Sequence, residues 1–261
     1  MDAASTGLLV LAGIASGLAG SVAGLASLFS YPALLAVGLP PIAANVTNTV
    51  AMFSTTVGSA AGSRAELRGQ RVRVAKLVVL AAAGGSLGAW LLLSTPASAF
   101  ELVVPWLIAL GSVLLLARDP LRRFADRRAA AASVSAATGR APASLPLAGT
   151  VVLVGLYGGY FGAAAGVLML AVLSASATEP LPVTNAVKNI ATGAANITAA
   201  VAYAFLAPVH WPAAGALAVG CLAGSWVGPA VVRRLPERPL RFAIALAGLG
   251  LALHLWLTAV A

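Results

Sequence analysis

Residues 13–24, GIASGLAGSVAG, place Gly13, Gly17, Gly20 and Gly24 at spacings of four, three and four. Residues 155–166, GLYGGYFGAAAG, place Gly155, Gly159, Gly162 and Gly166 at the same spacings, 142 positions later in a chain of 261. On a helix these steps put all four glycines on one face, where missing side chains let another backbone or a ligand come close. Repetition at that distance points to a duplication of about half the chain.

Composition sets the class around this repeat. With 60% hydrophobic and 9% charged residues and a mean hydropathy of +0.96, there is too little polar surface to cover a soluble globule. The apolar runs are long and lack dyad alternation, so the expected spans are helices rather than barrel strands. The net charge of +9 would suggest nucleic acid in a soluble protein. Here the basic residues cluster between apolar runs, and no nucleic-acid partner is inferred. Asp2, with no Lys or Arg before the first run, is wrong for a cleavable signal peptide, so that run is expected to be retained. The single cysteine, Cys221, excludes an intramolecular disulfide.

The chain reads as two halves. The first, 1–117, has an interrupted segment at 7–40 and spans at about 45–62, 77–95 and 101–117. A basic linker, 118–146, expected in the cytoplasm, separates it from the second, 147–261, with an interrupted segment at 147–178 and spans at about 185–206, 212–232 and 240–258. Basic residues cluster after the second segment (Arg64, Arg68, Arg71, Arg73, Lys76), in the linker, and before the last span (Arg233, Arg234, Arg238, Arg241). The positive-inside rule puts all three clusters in the cytoplasm. Parity then requires the interrupted segment to enter and return, and arms of about 15 residues, roughly 22 Å, fall short of the ~30 Å hydrocarbon core. The expected fold is all-α and polytopic, with two inverted repeats, each a broken, re-entrant hairpin plus three transmembrane helices. Equivalent loops agree: 205–212, FLAPVHWP, and STPASAF before span 101–117 carry no Lys or Arg, as inversion demands. Eight simple spans in parallel repeats is the alternative, and it leaves one arginine cluster outside.

The glycine-rich opening, GLPPIAANVTN (38–48), GSRAELRGQ (62–70), AVKNIATGAANITAA (186–200) and GPAVVRRLPERPLR (228–241) together resemble the sulfite exporter TauE/SafE family of bacterial membrane permeases. The resemblance covers essentially the whole chain. It implies a secondary transporter in the bacterial inner membrane that moves small sulfur-containing anions, such as sulfite or organosulfonates, generally outward.

Physically, LPPIAANVTN and LPVTNAVKN are two helix starts that follow a proline turn. They offer Asn45, Thr47 and Asn48 in one half and Asn185, Lys188 and Asn189 in the other. Unpaired N–H groups, the positive helix end and amide donors together suit an oxyanion. Hairpin tips bearing Gly20, Gly24, Gly162 and Gly166 complete the candidate substrate site, and Thr192 and Asn196 extend a polar stripe from Asn189. Each has a plainer role too: glycine ladders pack helices, Asn45 and Asn185 suit N-caps, and Lys188 can snorkel to headgroups. Ser21, Ser54, Tyr157 and Tyr160 are path candidates for which packing is the plainer role.

The seven acids fall in loops or at span ends and the two histidines are far apart. No set of residues for zinc, acyl-transfer or carboxylate chemistry is visible in the spans. The protein is expected not to be an enzyme and to need no cofactor or metal. Its partners are a small anionic substrate and the bilayer. A coupling ion, proton or sodium, and a homo-oligomer stay open, as do a passive anion channel and a permease for another small anion. Cysteines placed singly through residues 233–241 are expected to react with an impermeant thiol reagent only from the cytoplasmic side; labelling from outside rules out the inverted arrangement.

Overall fold

The computed structural model describes residues 1–117, 119–121, 123, 124, 127, 147–176, 179–231 and 237–260. These form helices and no strand. The helices are α1 Ala3–Ala23, α2 Ser27–Ala36, α3 Pro41–Gly62, α4 Arg71–Ser94, α5 Ala97–Leu116, α6 Leu147–Tyr160, α7 Ala165–Ser176, α8 Leu181–Leu206, α9 Trp211–Val231 and α10 Glu237–Val260. Most of the linker expected at 118–146, and Arg233 and Arg234, lie outside the described residues. Stretches of α1, α4, α5 and α8 are long and apolar enough to cross a membrane. α3 matches them in length, with 22 residues, but carries Asn45, Thr47, Asn48, Thr49 and further hydroxyls. Trp90, Trp106, Phe205, Trp211 and Trp226 lie exposed on the outside of the bundle, where a bilayer would receive them. The protein is an all-helical, polytopic membrane protein.

Both interrupted segments are helical hairpins. α1 ends on Gly24, with φ +74°. The Gly24 N–H donates to Gly20 O at 2.9 Å, and the Leu25 N–H to Ala19 O at 3.4 Å, a paired left-handed cap that glycine adopts without a Cβ penalty. α6 ends before Gly162 (φ +78°) and Ala164 (φ +58°), and the Tyr157 hydroxyl ties that turn by donating to Ala163 O at 2.7 Å. The second hairpin has the expected short arms, 14 and 12 residues. The first does not: α1 has 21 residues and α2 has 10. Part of the difference is where the left-handed turn forms, at the fourth ladder glycine in one copy and the third in the other.

The ladders pack helix on helix with backbone against backbone. A Cβ on Gly155 or Gly159 would overlap Ala81 O or Gly85 O of α4, and one on Gly84 or Gly88 would overlap Val152 O or Leu156 O of α6. The other half repeats this contact by contact. Gly13 and Gly17 face Leu217 O and Cys221 O of α9, and Gly220 and Gly224 face Val10 O and Ile14 O of α1. Close approach of this kind supplies van der Waals packing where no hydrophobic force acts between helices.

These registers also fix direction. Residue numbers rise together across α4 and α6, and across α1 and α9, so each pair is parallel. α3 and α8 run antiparallel: the Asn196 amide donates to Thr49 O at 2.9 Å, while Gly193 lies against Thr56. Their ends agree. Glu179, before α8, accepts from Gln70 Nε2 at 3.0 Å and pairs with Arg73 in the first turn of α4, the helix that follows α3; Thr47, early in α3, accepts the His210 N–H beyond α8 at 3.0 Å. α4 and α9 therefore point in opposite directions. So do α1 and α6, and the two hairpins enter the bundle from opposite ends. The second enters from the end that holds Arg73 and Glu179, called the basic end below.

Replacing Gly159 by Ala forces α4 and α6 apart and is expected to cost about 1–3 kcal/mol. Gly215→Ala, where nothing lies within 4 Å, should stay within about 0.5 kcal/mol. Melting temperatures of the two variants in detergent check the contrast.

Candidate functional site

The two hairpin tips pass each other at the centre. A Cβ on Gly24 would lie 2.5 Å from the Gly166 Cα, and one on Gly166 would lie 2.5 Å from the Gly24 Cα. These two glycines occupy the same position in the two copies of the ladder. Beside them opens a cavity of about 100 Å³, several times the roughly 10–15 Å³ that one water needs by this measure.

Six of the ten residues expected to bind substrate line this cavity: Gly20, Gly24, Gly162, Gly166, Asn48 and Asn189. Thr192 and Asn196 of the polar stripe do so as well. The other four are not among its lining residues. Asn45 is fully buried, and its amide donates to Tyr160 O at 2.9 Å. Asn185 donates to Ser21 O at 3.2 Å, and Asn189 donates to the same oxygen at 3.1 Å. Thr47 is held by His210, and Lys188 is fully buried on α8. The asparagines thus brace the hairpins crosswise. α3 of the first half holds the tip of the second hairpin, and α8 of the second half holds the tip of the first. Each bond satisfies a carbonyl that the helix break leaves open.

Asn48 differs from Asn45 and Asn185 in lining the cavity, where it is 2% exposed; its Oδ1, like theirs, has no hydrogen-bond partner among the described residues. An amide can present its oxygen or, flipped, its NH₂ to a solute. Sequence reading overlooked Thr49, Thr55, Thr56 and Ser59 of α3, which join Asn48 and Met52 along the cavity wall. Their spacing from Asn48 of one, seven, eight and eleven residues is one helical face, a signal present in the sequence. Gly158 and Gly193 also line the cavity and lie off the ladder; only the fold brings them there.

Aromatic rings pack on one wall of the cavity. Phe161 lines it and is covered by Tyr31, edge-on with ring centroids 5.2 Å apart, and by Phe100 at 6.3 Å. Behind them Phe100 meets Tyr160 at 5.9 Å, and the Tyr203 hydroxyl donates to Gly159 O at 2.5 Å. All but Tyr160 are at most 3% exposed. Toward the basic end the lining continues down α3 to Ser59, three residues from its last, Gly62.

A family model, Sulfite exporter TauE/SafE, matches residues 9–255. The chain belongs to the sulfite exporter TauE/SafE family. That makes it, in the broad sense, a membrane transporter of sulfur-containing anions, in a family of transporters rather than enzymes. No curated protein and no solved structure matches the chain. In this TauE/SafE chain no cluster of His, Cys, Asp or Glu able to hold a metal occurs among the described residues, and no charged side chain lines the cavity.

Removing both amides that hold Ser21 O, Asn185→Ala with Asn189→Ala, leaves that carbonyl without a donor and is expected to cost about 1–3 kcal/mol. Thermal unfolding of the double variant against each single variant measures it, and each single change should cost less than the pair because one donor remains.

Proposed function

We propose that the protein is a secondary transporter, working as an exporter, of small sulfur-containing oxyanions such as sulfite or organosulfonates. It works by alternating access around the cavity between the hairpin tips. In this reading the basic end faces the cytoplasm of a bacterial cell and the conformation described is inward-facing. The observation that carries it is Asn48, a buried amide in a cavity that offers polar groups and no counter-charge.

The chemistry fits an anion. α2 and α7 begin at the tips, and Ala26, Ser27, Ala165 and Gly166 bring their first turns to the cavity wall. The positive ends of two helices supply partial charge to the cavity wall without a charged side chain there. Amides and hydroxyls of Asn48, Asn189, Asn196, Thr55 and Thr56 can each meet one oxygen of the solute. Asn45, Thr47, Asn185 and Lys188 serve the site by positioning the hairpins and α8, without touching the substrate.

The lining is largely built of equivalent pairs from the two halves. Gly20 pairs with Gly162, Gly24 with Gly166, Ser27 with Met169, Asn48 with Asn189, Met52 with Gly193 and Thr55 with Asn196. A site built on such pairs can face either side with little rearrangement, as inverted repeats allow.

Inverted vesicles loaded with sulfite or sulfonates test the reading. Saturable, protein-dependent flux with counterflow is expected, and Asn48→Ala should lower it by about tenfold or more, roughly 1.4 kcal/mol of binding, with an unchanged melting temperature. No flux of any small anion sinks the proposal, and linear, voltage-driven flux makes the protein a channel.

A further inference from the structure

The pairing of lining residues stops on one side. Val154, Gly155 and Gly158 of α6 line the cavity, yet their equivalents in α1, 142 positions earlier, are Ala12, Gly13 and Ser16, and these do not. The same break divides α3 and α8, where equivalents lie 141 apart. Thr56 and Ser59 line the cavity and Ile197 and Ala200 do not; Ala195 lines it and Ser54 does not. Ala26 and Thr49 likewise line it while Leu168 and Ile190 do not; the residues of α1 in the missing set belong to the helix that enters from the end opposite the basic one.

Ser16 is the odd member. It is fully buried, and its hydroxyl has no hydrogen-bond partner among the described residues. The hydroxyls of Ser30, Ser54, Ser86, Ser94 and Ser112 each donate to a carbonyl one turn back in their own helices. That bond satisfies a helical serine in apolar surroundings. Ser16 forgoes it and sits where the cavity-lining Gly158 sits in the other half. A buried hydroxyl without a partner is costly, so a conformation that brings water or solute to it relieves that cost. On this side the central site is shut by Phe161 under Tyr31 and Phe100. The residue equivalent to Phe161 toward the basic end is Ala19, which leaves the opposite way clear.

We infer that a second substrate route, closed in this conformation, runs from the central site past Ser16 between α1, α3 and α8, and opens when the Phe161, Tyr31 and Phe100 stack parts. Its lining, Gly13, Ser16, Ala51, Ser54, Ile197 and Ala200, carries only two hydroxyls. An oxyanion meets few partners there, so the route suits release rather than binding. The inference rests on the alternating-access reading above and adds the path by which the solute leaves.

The test uses the full chain in proteoliposomes, in which the one native cysteine, Cys221, is buried. Ser16→Cys is treated with a membrane-impermeant maleimide from the face where α1 enters, and Gly158→Cys from the other. Sulfite supplied for net transport should raise Ser16→Cys labelling by at least about threefold while lowering that of Gly158→Cys, as a population shift requires. If Gly158→Cys responds and flux persists while Ser16→Cys stays unlabelled, the route is overturned and alternating access stands. If both label at fixed rates regardless of sulfite, the route and the carrier reading fail together. Ser16→Ala gives a second readout: removing the unsatisfied hydroxyl favours the closed state, so the melting temperature should rise and turnover fall by at least about threefold. A wild-type melting temperature with wild-type turnover counts against the route.

Discussion

Gly24 and Gly166 touch through their bare backbones, and the bundle is built around that contact. Helix breaks in a membrane protein expose carbonyl and N–H groups that lipid could not satisfy. They are tolerable here because each break lies inside protein, beside the other and beside a polar helix of the opposite half. Any side chain at either glycine would hold the tips apart. The asparagine bonds from α3 and α8 would then lose their targets, Tyr160 O and Ser21 O.

That constraint explains how the glycines divide their work. Gly13, Gly17, Gly155 and Gly159 let α1 and α6 lie against α9 and α4, and each meets backbone where a Cβ would go. Gly20, Gly24, Gly162 and Gly166 shape the tips and the cavity. Gly158, off the ladder, lines the cavity without packing against another helix's backbone. A Cβ there would have ordinary contacts with Ala165 and Ala195, at 3.8 and 4.0 Å, and its absence widens the cavity. One ladder therefore serves packing at its outer steps and the site at its inner ones.

Near symmetry and its local failure together suit transport. The contacts of α4 with α6 recur between α1 and α9, with α1 and α6 offset by 142 and α9 and α4 by 136. The aromatic residues are not exchanged: Phe161 and Tyr160 face Ala19 and Leu18 across the repeat. A large ring in one copy and a small side chain in the other break the symmetry of the frame at this level. The asymmetry is a property of a few side chains rather than of the backbone.

Much of this was legible in the sequence. Apolar composition and run length fixed a helical membrane protein, the doubled ladder announced the duplication, and charge parity required each interrupted segment to turn back. These are local or summed properties, and one chain read end to end contains them. The tertiary structure decided which polar residues face the cavity. Asn45 and Asn48 lie three residues apart on one helix, yet the amide of one is spent on Tyr160 O while the other lines the cavity. That difference depends on where the other half's hairpin ends, about 115 residues away in sequence, and local pattern carries no information about such a contact. The unequal hairpin arms, the part played by Gly158 and the buried hydroxyl of Ser16 were hidden for the same reason. Spacing determines which residues share a face, and only packing against the second repeat determines what that face meets.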